Sequence, residues 1–248
     1  DNSKGELGNG MEIGSKLPTP VTGLSSGVAT ISAGSNFTCA TTTGGTALCW
    51  GEGSSGQLGN GTTAASTTPA GVLDSNGQGP LSGVLVISAG FENACALMNG
   101  GTVLCWGANN SGQLGNGNTG SASSVPVAVV NSSGQALLTG VLAISSGLDD
   151  SCAVTSSGAA LCWGANGNGQ LGNGETANSS VPVNVSGLST GAVAIATGYH
   201  HTCAVTSGGA AECWGFNADG QLASGNTVPS ATPIRALGTR GVGSLQLY

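Results

Sequence analysis

The tract GSNFTCATTTGGTALCWGEGSSGQLGNGT, at residues 34–62, returns with the same skeleton at 90–118, 147–175 and 198–226. Repetition at this scale restricts the fold more than any other property of the chain. A unit this small cannot bury its apolar face alone, so each copy must bury it against the next. The unbroken run of copies favours a single domain over the 248 residues.

Composition removes whole classes of function. Forty-six glycines and 6% charged residues exclude a coiled coil or a charge-rich disordered tail. The four basic residues are Lys4, Lys16, Arg235 and Arg240, so no lysine or arginine occurs between residues 17 and 234. Affinity for nucleic acid rests on neutralising phosphates with such side chains, and affinity for anionic lipid has the same requirement. Neither partner is expected, and no segment has the length of a membrane-spanning helix. No basic-then-apolar leader opens the sequence, so a signal peptide is expected to be removed or never included.

The eight cysteines form four pairs, Cys39/Cys49, Cys95/Cys105, Cys152/Cys162 and Cys203/Cys213, each with nine residues between. Each interval is strand-like and centred on a three-residue turn with glycine third: Gly45, Gly101, Gly158 and Gly209. A three-residue hairpin loop needs a left-handed residue at that place. Folding about it sets the two cysteines opposite each other on antiparallel strands, with Cα atoms about 4.5 Å apart, within disulfide range. Structural disulfides inside each hairpin are therefore expected, with buried free thiols as the competing reading. Zinc needs Cys-x2-Cys or Cys/His clusters and redox catalysis needs Cys-x-x-Cys; neither spacing occurs. Disulfides imply an oxidising compartment, so an extracellular, cell-surface or periplasmic protein is expected.

Each unit reads as four short strands. An apolar run such as VLVISAG (84–90) comes first, and the cysteine hairpin supplies the second and third. A Gly-Gln-Leu loop leads to a proline-marked edge segment such as Val125-Pro126-Val127. The expected fold is all-β, a β-propeller of four-stranded antiparallel blades. The expected repeat bounds are 21–76, 77–133, 134–186 and 187–236, with partial repeats at 1–20 and 237–248. GELGNG (5–10) matches the end of a repeat and GVGSLQLY (241–248) matches the start of one, so the termini are expected to join as a partial fifth blade.

The pattern G-x-x-x-[TSA]-C…G-x-x-x-C-W-G-x-x-x-x-G-Q-L resembles the repeat of the regulator of chromosome condensation family in its cysteine-bearing extracellular form. The resemblance covers about residues 21–236. It implies a β-propeller, most familiarly of seven blades, where this chain has four complete units. It also implies a recognition or scaffold module. The nucleotide-exchange and chromatin roles of nuclear members are not carried over, because the basic surface is missing.

Trp50, Trp106, Trp163 and Trp214 read as packing between blades, each indole N–H on a backbone carbonyl, rather than as a sugar-binding ring. Gln57, Gln113, Gln170 and Gln221 read as loop pins whose amides bond backbone. The loop before each first cysteine varies: Ser35-Asn36-Phe37, Phe91-Glu92-Asn93, Leu148-Asp149-Asp150 and Tyr199-His200-His201. Variation at equivalent points of a fixed scaffold marks a recognition surface, so Phe37, Phe91, Glu92, Asp149, Asp150, Tyr199 and His200 are the candidate partner-binding residues. No catalytic constellation, cofactor site or metal site emerges. Two functions remain. The first is a non-enzymatic extracellular structural protein, a propeller subunit of a cell-surface assembly or fibre that pairs with copies of itself through the unfinished terminal blade. The second is a secreted recognition propeller that binds a protein or a glycan through the variable loops. The structural reading stands first on sequence, because no ligand pocket announces itself.

Overall fold

A computed structural model describes residues 1–238, which form sixteen strands in four antiparallel sheets. Blade 1 holds β1 (Val28–Ala33), β2 (Phe37–Thr42), β3 (Ala47–Gly51) and β4 (Ser66–Gly71). Blade 2 holds β5 (Val84–Ala89), β6 (Asn93–Met98), β7 (Val103–Gly107) and β8 (Ser123–Ala128). Blade 3 holds β9 (Val141–Ser146), β10 (Asp150–Thr155), β11 (Ala160–Gly164) and β12 (Ser179–Asn184). Blade 4 holds β13 (Ala192–Thr197), β14 (His201–Thr206), β15 (Ala211–Gly215) and β16 (Ser230–Arg235). Strand order within each blade is chain order. First strands of successive blades lie beside one another around a common axis. The fourth strands, with Pro69, Pro126, Pro182 and Pro233, form the outer edges, where a missing N–H breaks no ladder.

The cysteine hairpins form as their spacing requires. Gly45, Gly101, Gly158 and Gly209 turn with φ of 78°, 79°, 77° and 79°, and the register sets Cys39 opposite Cys49, Cys95 opposite Cys105, Cys152 opposite Cys162 and Cys203 opposite Cys213. All four pairs are disulfides with Cα atoms 4.0–4.1 Å apart.

Each blade has a forward face, bearing its disulfide, and a rear face, bearing its tryptophan. Cys39, Cys49, Leu58 and Val72 of blade 1 share a buried cluster with Val84, Ile87, Ala96 and Trp106 of blade 2. Equivalent clusters join blade 2 to 3 and blade 3 to 4. Burying polar groups inside these layers requires partners, and the tryptophans find them one blade back. Trp106, Trp163 and Trp214 donate to the backbone carbonyls of Gln57, Gln113 and Gln170 at 2.9, 3.0 and 2.8 Å. The glutamine side chains pin their loops by accepting from the N–H two residues earlier, at 2.9–3.0 Å.

A second contact between blades lies at the axis. Ser32, Ser88 and Ser145 each offer Oγ to a backbone N–H of the next first strand, at Ala89, Ser146 and Thr197, all 2.9 Å. Blade 4 has Ala196 at this place.

The partial fifth blade expected from the termini is not formed by the described residues, and GVGSLQLY lies outside them. Residues 1–20 contain no strand, because a fourth-strand sequence has no ladder without a third strand to pair with. They do keep the local shape of a repeat's end. Ser15 Oγ donates to Leu17 O at 2.7 Å, as Ser66, Ser123, Ser179 and Ser230 do two residues on. The GELGNG turn docks on the rear face of blade 1, where Glu6 O accepts Trp50 Nε1 at 2.8 Å and Thr38 Oγ1 at 3.0 Å.

Candidate functional site

The four variable loops cross from first to second strand at one end of the axis, and their three positions fall into three concentric layers. The first residues, Ser35, Phe91, Leu148 and Tyr199, line an open depression of about 300 Å³ on the axis. Its remaining lining comes from the ends of the first strands, including Gly34, Gly90, Gly147 and Gly198. Phe91 and Tyr199, from blades 2 and 4, meet edge to face with ring centroids 6.3 Å apart. Both stay open to solvent, 38% and 61% exposed, and Tyr199 leans on His200 at 4.6 Å.

The second residues, Asn36, Glu92, Asp149 and His200, sit over the clefts between blades. Their carbonyls accept the N–H of the residue after each Cys-Trp-Gly, at Glu52, Ala108, Ala165 and Phe216, 2.8–2.9 Å. The glycine of that motif is needed here. Gly51, Gly107, Gly164 and Gly215 have φ of 100–108°, and a Cβ on any of them would collide with the same loop carbonyl. Side chains then reach back one blade. Glu92 accepts from Ser55 Oγ at 2.9 Å, and Asp149 accepts from Gln113 Nε2 at 2.9 Å. Phe216 adds an edge contact to His200 at 6.4 Å.

The third residues turn inward, which corrects the sequence expectation for two candidates. Phe37 is 1% exposed and Asp150 is fully buried, so neither presents a surface to a partner. The cause is the glycine that ends each first strand. A Cβ on Gly34, Gly90, Gly147 or Gly198 would strike the Phe37 ring, Asn93 Oδ1, Asp150 Oδ1 or the His201 ring, so the absent Cβ is the space those side chains fill. Of the candidates, Phe91, Glu92, Asp149, Tyr199 and His200 are brought together at the mouth. Ser55, Gln113 and Phe216 join them without having been expected there.

The electrostatics are one-sided. Burial, then the neighbouring Glu92 charge, pushes the Asp149 carboxyl above its usual range, while His200 pulls it down. Burial, then Asp149, raises Asp150 well above the carboxylate range, and neither Asp150 oxygen has a hydrogen-bond partner. Burial, then His200, lowers the His201 imidazole. The two ion pairs seen among the described residues, Lys4–Glu52 at 2.9 Å and Arg235–Glu212 at 4.0 Å, involve neither Glu92 nor Asp149. Among the described residues no group of three or more His, Cys, Asp or Glu is placed to hold a metal ion, and no helix is long and apolar enough to cross a membrane.

The chain is similar to the Ultraviolet-B receptor UVR8 of Arabidopsis thaliana, 29% identical over 93% of this chain and 51% of that protein. It is 32% identical to the Probable E3 ubiquitin-protein ligase HERC6 of Homo sapiens, over 90% of this chain and 22% of that one. The chain thus spans about half the length of the first of these relatives and under a quarter of the second. Among solved structures, human WBSCR16 superposes with a TM-score of 0.82 at 21% identity, over 96% of this chain and 61% of that one. Prp20p from Saccharomyces cerevisiae, studied for its binding to Gsp1p and histones, superposes with a TM-score of 0.72 at 19% identity, over 86% of this chain and 51% of that one. These likenesses place the four blades in the propeller fold. The model of the Regulator of chromosome condensation (RCC1) repeat matches residues 1–41, 44–97, 100–154 and 157–205, and so the chain with its four disulfide-stapled blades belongs to that repeat family.

Proposed function

We propose that this chain is a non-enzymatic, extracellular recognition propeller that binds a protein partner through the axial mouth. The observation that carries the reading is the convergence of variable residues from all four blades on one depression, with Phe91 and Tyr199 left open to solvent. Exposed aromatic side chains at a concave mouth are what protein interfaces use as anchors. The names of relatives agree in kind: UVR8 is a receptor, and Prp20p binds the proteins Gsp1p and histones. The extracellular setting rests on the four disulfides, which persist in oxidising compartments. A display library of secreted proteins and glycans, probed with wild type and with Phe91→Ala/Tyr199→Ala, tests it. The expected outcome is a protein ligand lost on substitution, with the melting temperature unchanged; ligands that bind both forms equally would remove the mouth from the reading.

The structural-subunit reading stands second, favoured by one observation. Among the described residues the forward face of blade 4 carries an apolar hollow of about 290 Å³ over Cys203, Val205 and Cys213. An exposed apolar face of this kind favours association. Two residues speak against its use as a standard blade junction: Ala196 replaces the axial serine, and Ala223 replaces the glycine on which the next tryptophan packs at Gly59, Gly115 and Gly172. Filaments of native protein under the electron microscope would restore this reading to first place.

A further inference from the structure

The axial mouth combines aromatic walls, a floor of backbone and a flank of carboxylates, and this combination selects a ligand class. Phe91 and Tyr199, in edge-to-face contact with each other, both line the depression and leave ring surface open to solvent. The floor is made where first strands end in glycine, so backbone rather than side chain meets the ligand. The carbonyls of Gly90, Gly147 and Gly198 lie against the glycine of the preceding blade. Glu92 and Asp149, one residue outward, repel each other across blades; His200 offsets the Asp149 charge in part, and the hydrogen bonds seen at the two carboxylates come from the neutral Ser55 and Gln113. The formal charge of the chain is −7, and residues 17–234 contain no lysine or arginine to intervene.

We infer that the mouth receives a lysine or arginine side chain presented by a basic segment of the partner protein. This rests on the recognition reading above and names its chemistry. A cation over an aromatic face is attracted by the ring quadrupole, and more strongly once desolvated. The same cation relieves the Glu92–Asp149 repulsion. A hollow of about 300 Å³ suits one long side chain inserted from a segment lying across the rim. Acidic and phosphorylated partners are disfavoured by the same carboxylates, and the long-range field of an acidic protein speeds encounter with a basic one.

The test uses the full chain and three short peptides of Gly and Ser around a central arginine, lysine or citrulline, citrulline being the neutral isostere of arginine. Binding is read from the NMR signals of Phe91 and Tyr199. The expected result is saturable binding of the arginine and lysine peptides with dissociation constants of about 1 mM, weakening with added salt. Citrulline should bind at least about tenfold more weakly, and Glu92→Gln/Asp149→Asn should erase the difference. Leu148→Lys, which brings a cation into the mouth itself, should abolish peptide binding and guards against misfolding of the acid double variant. Equal affinity for citrulline and arginine, retained preference in the double variant, or no binding at all would overturn the inference. A chitin oligosaccharide that shifts Tyr199 where the arginine peptide does not would sink the cationic ligand and leave recognition standing. Failure of every probe, library ligands included, to disturb Phe91 and Tyr199 would sink both.

Discussion

Asp150 is the side chain whose chemistry conflicts most with its surroundings. Its blade-equivalents are Phe37, Asn93 and His201, and it alone puts two partnerless oxygens in the interior. A buried carboxylate without donors is favoured as the neutral acid. Such a group supports the fold where it is protonated. It costs stability as pH climbs from the ordinary aspartate range through the raised value in the folded state, since the native form then holds the extra proton. Asp149, also raised, adds in the same direction. His201, lowered by burial, opposes this over the same window, so the expected effect is a gain in melting temperature from pH 7 toward 5 relative to a chain without the Asp150 carboxyl. Asp150→Asn should flatten that slope and stabilise the protein at pH 7 by about 1–3 kcal/mol. A pH profile of melting by calorimetry, unchanged by the substitution, would show that Asp150 titrates normally. Sequence could not separate this residue from Asp149. Both lie in a variable loop, and the division between rim and interior depends on where the strand begins. A signal did exist: the glycine three residues earlier recurs in all four copies, at Gly34, Gly90, Gly147 and Gly198, and marks where a side chain will turn in.

At the scale of elements, what could be read in advance was whatever local rules decide. The hairpins follow from cysteine spacing and third-place glycines, and the indole bonds follow from the need of a buried N–H for an acceptor. Contacts between blades were opaque. Ser55 to Glu92 and Gln113 to Asp149 span 37 and 36 residues, and no periodicity announces them. The axial serines were in view at Ser32, Ser88 and Ser145, but a serine in an apolar strand reads as a solvated face until the neighbouring strand is known. Their work can be measured. Ser88→Ala leaves the Ser146 N–H without its acceptor at the junction of blades 2 and 3. The loss should be about 1–3 kcal/mol, and amide exchange should quicken at Ser146 more than at the hairpin Cys152–Cys162. Uniform change across blades 2 and 3 would mean that the serine contributes only to overall stability, without latching that junction.

At the scale of the molecule, the two outer faces of the array differ in kind. Among the described residues the forward face of blade 4 carries an apolar hollow, whereas the rear face of blade 1 is half occupied. Ile31 is 65% exposed where its counterpart Ile87 is 4% exposed, yet Trp50 is fully covered. The cover is the turn Gly5–Gly10, packed on Trp50 as Gly56–Gly61 packs on Trp106. A second copy docking by the internal geometry would bring its own turn, Gly220–Gly225, to this site. The two turns cannot share it, so the segment before β1 should act as a stopper against head-to-tail docking by that geometry. Gly8 lies against the Trp50 indole and has φ of +67°, so Gly8→Val should expel the turn on both counts. Wild type should be monomeric by light scattering, and Gly8→Val should show red-shifted tryptophan emission and a concentration-dependent rise in mass. Adding Ala196→Lys, a charge in the apolar hollow of blade 4, should reverse the rise in mass and leave the red shift. A wild-type oligomer that Ala196→Lys dissolves would mean that the stopper does not hold and that the blades assemble end to end.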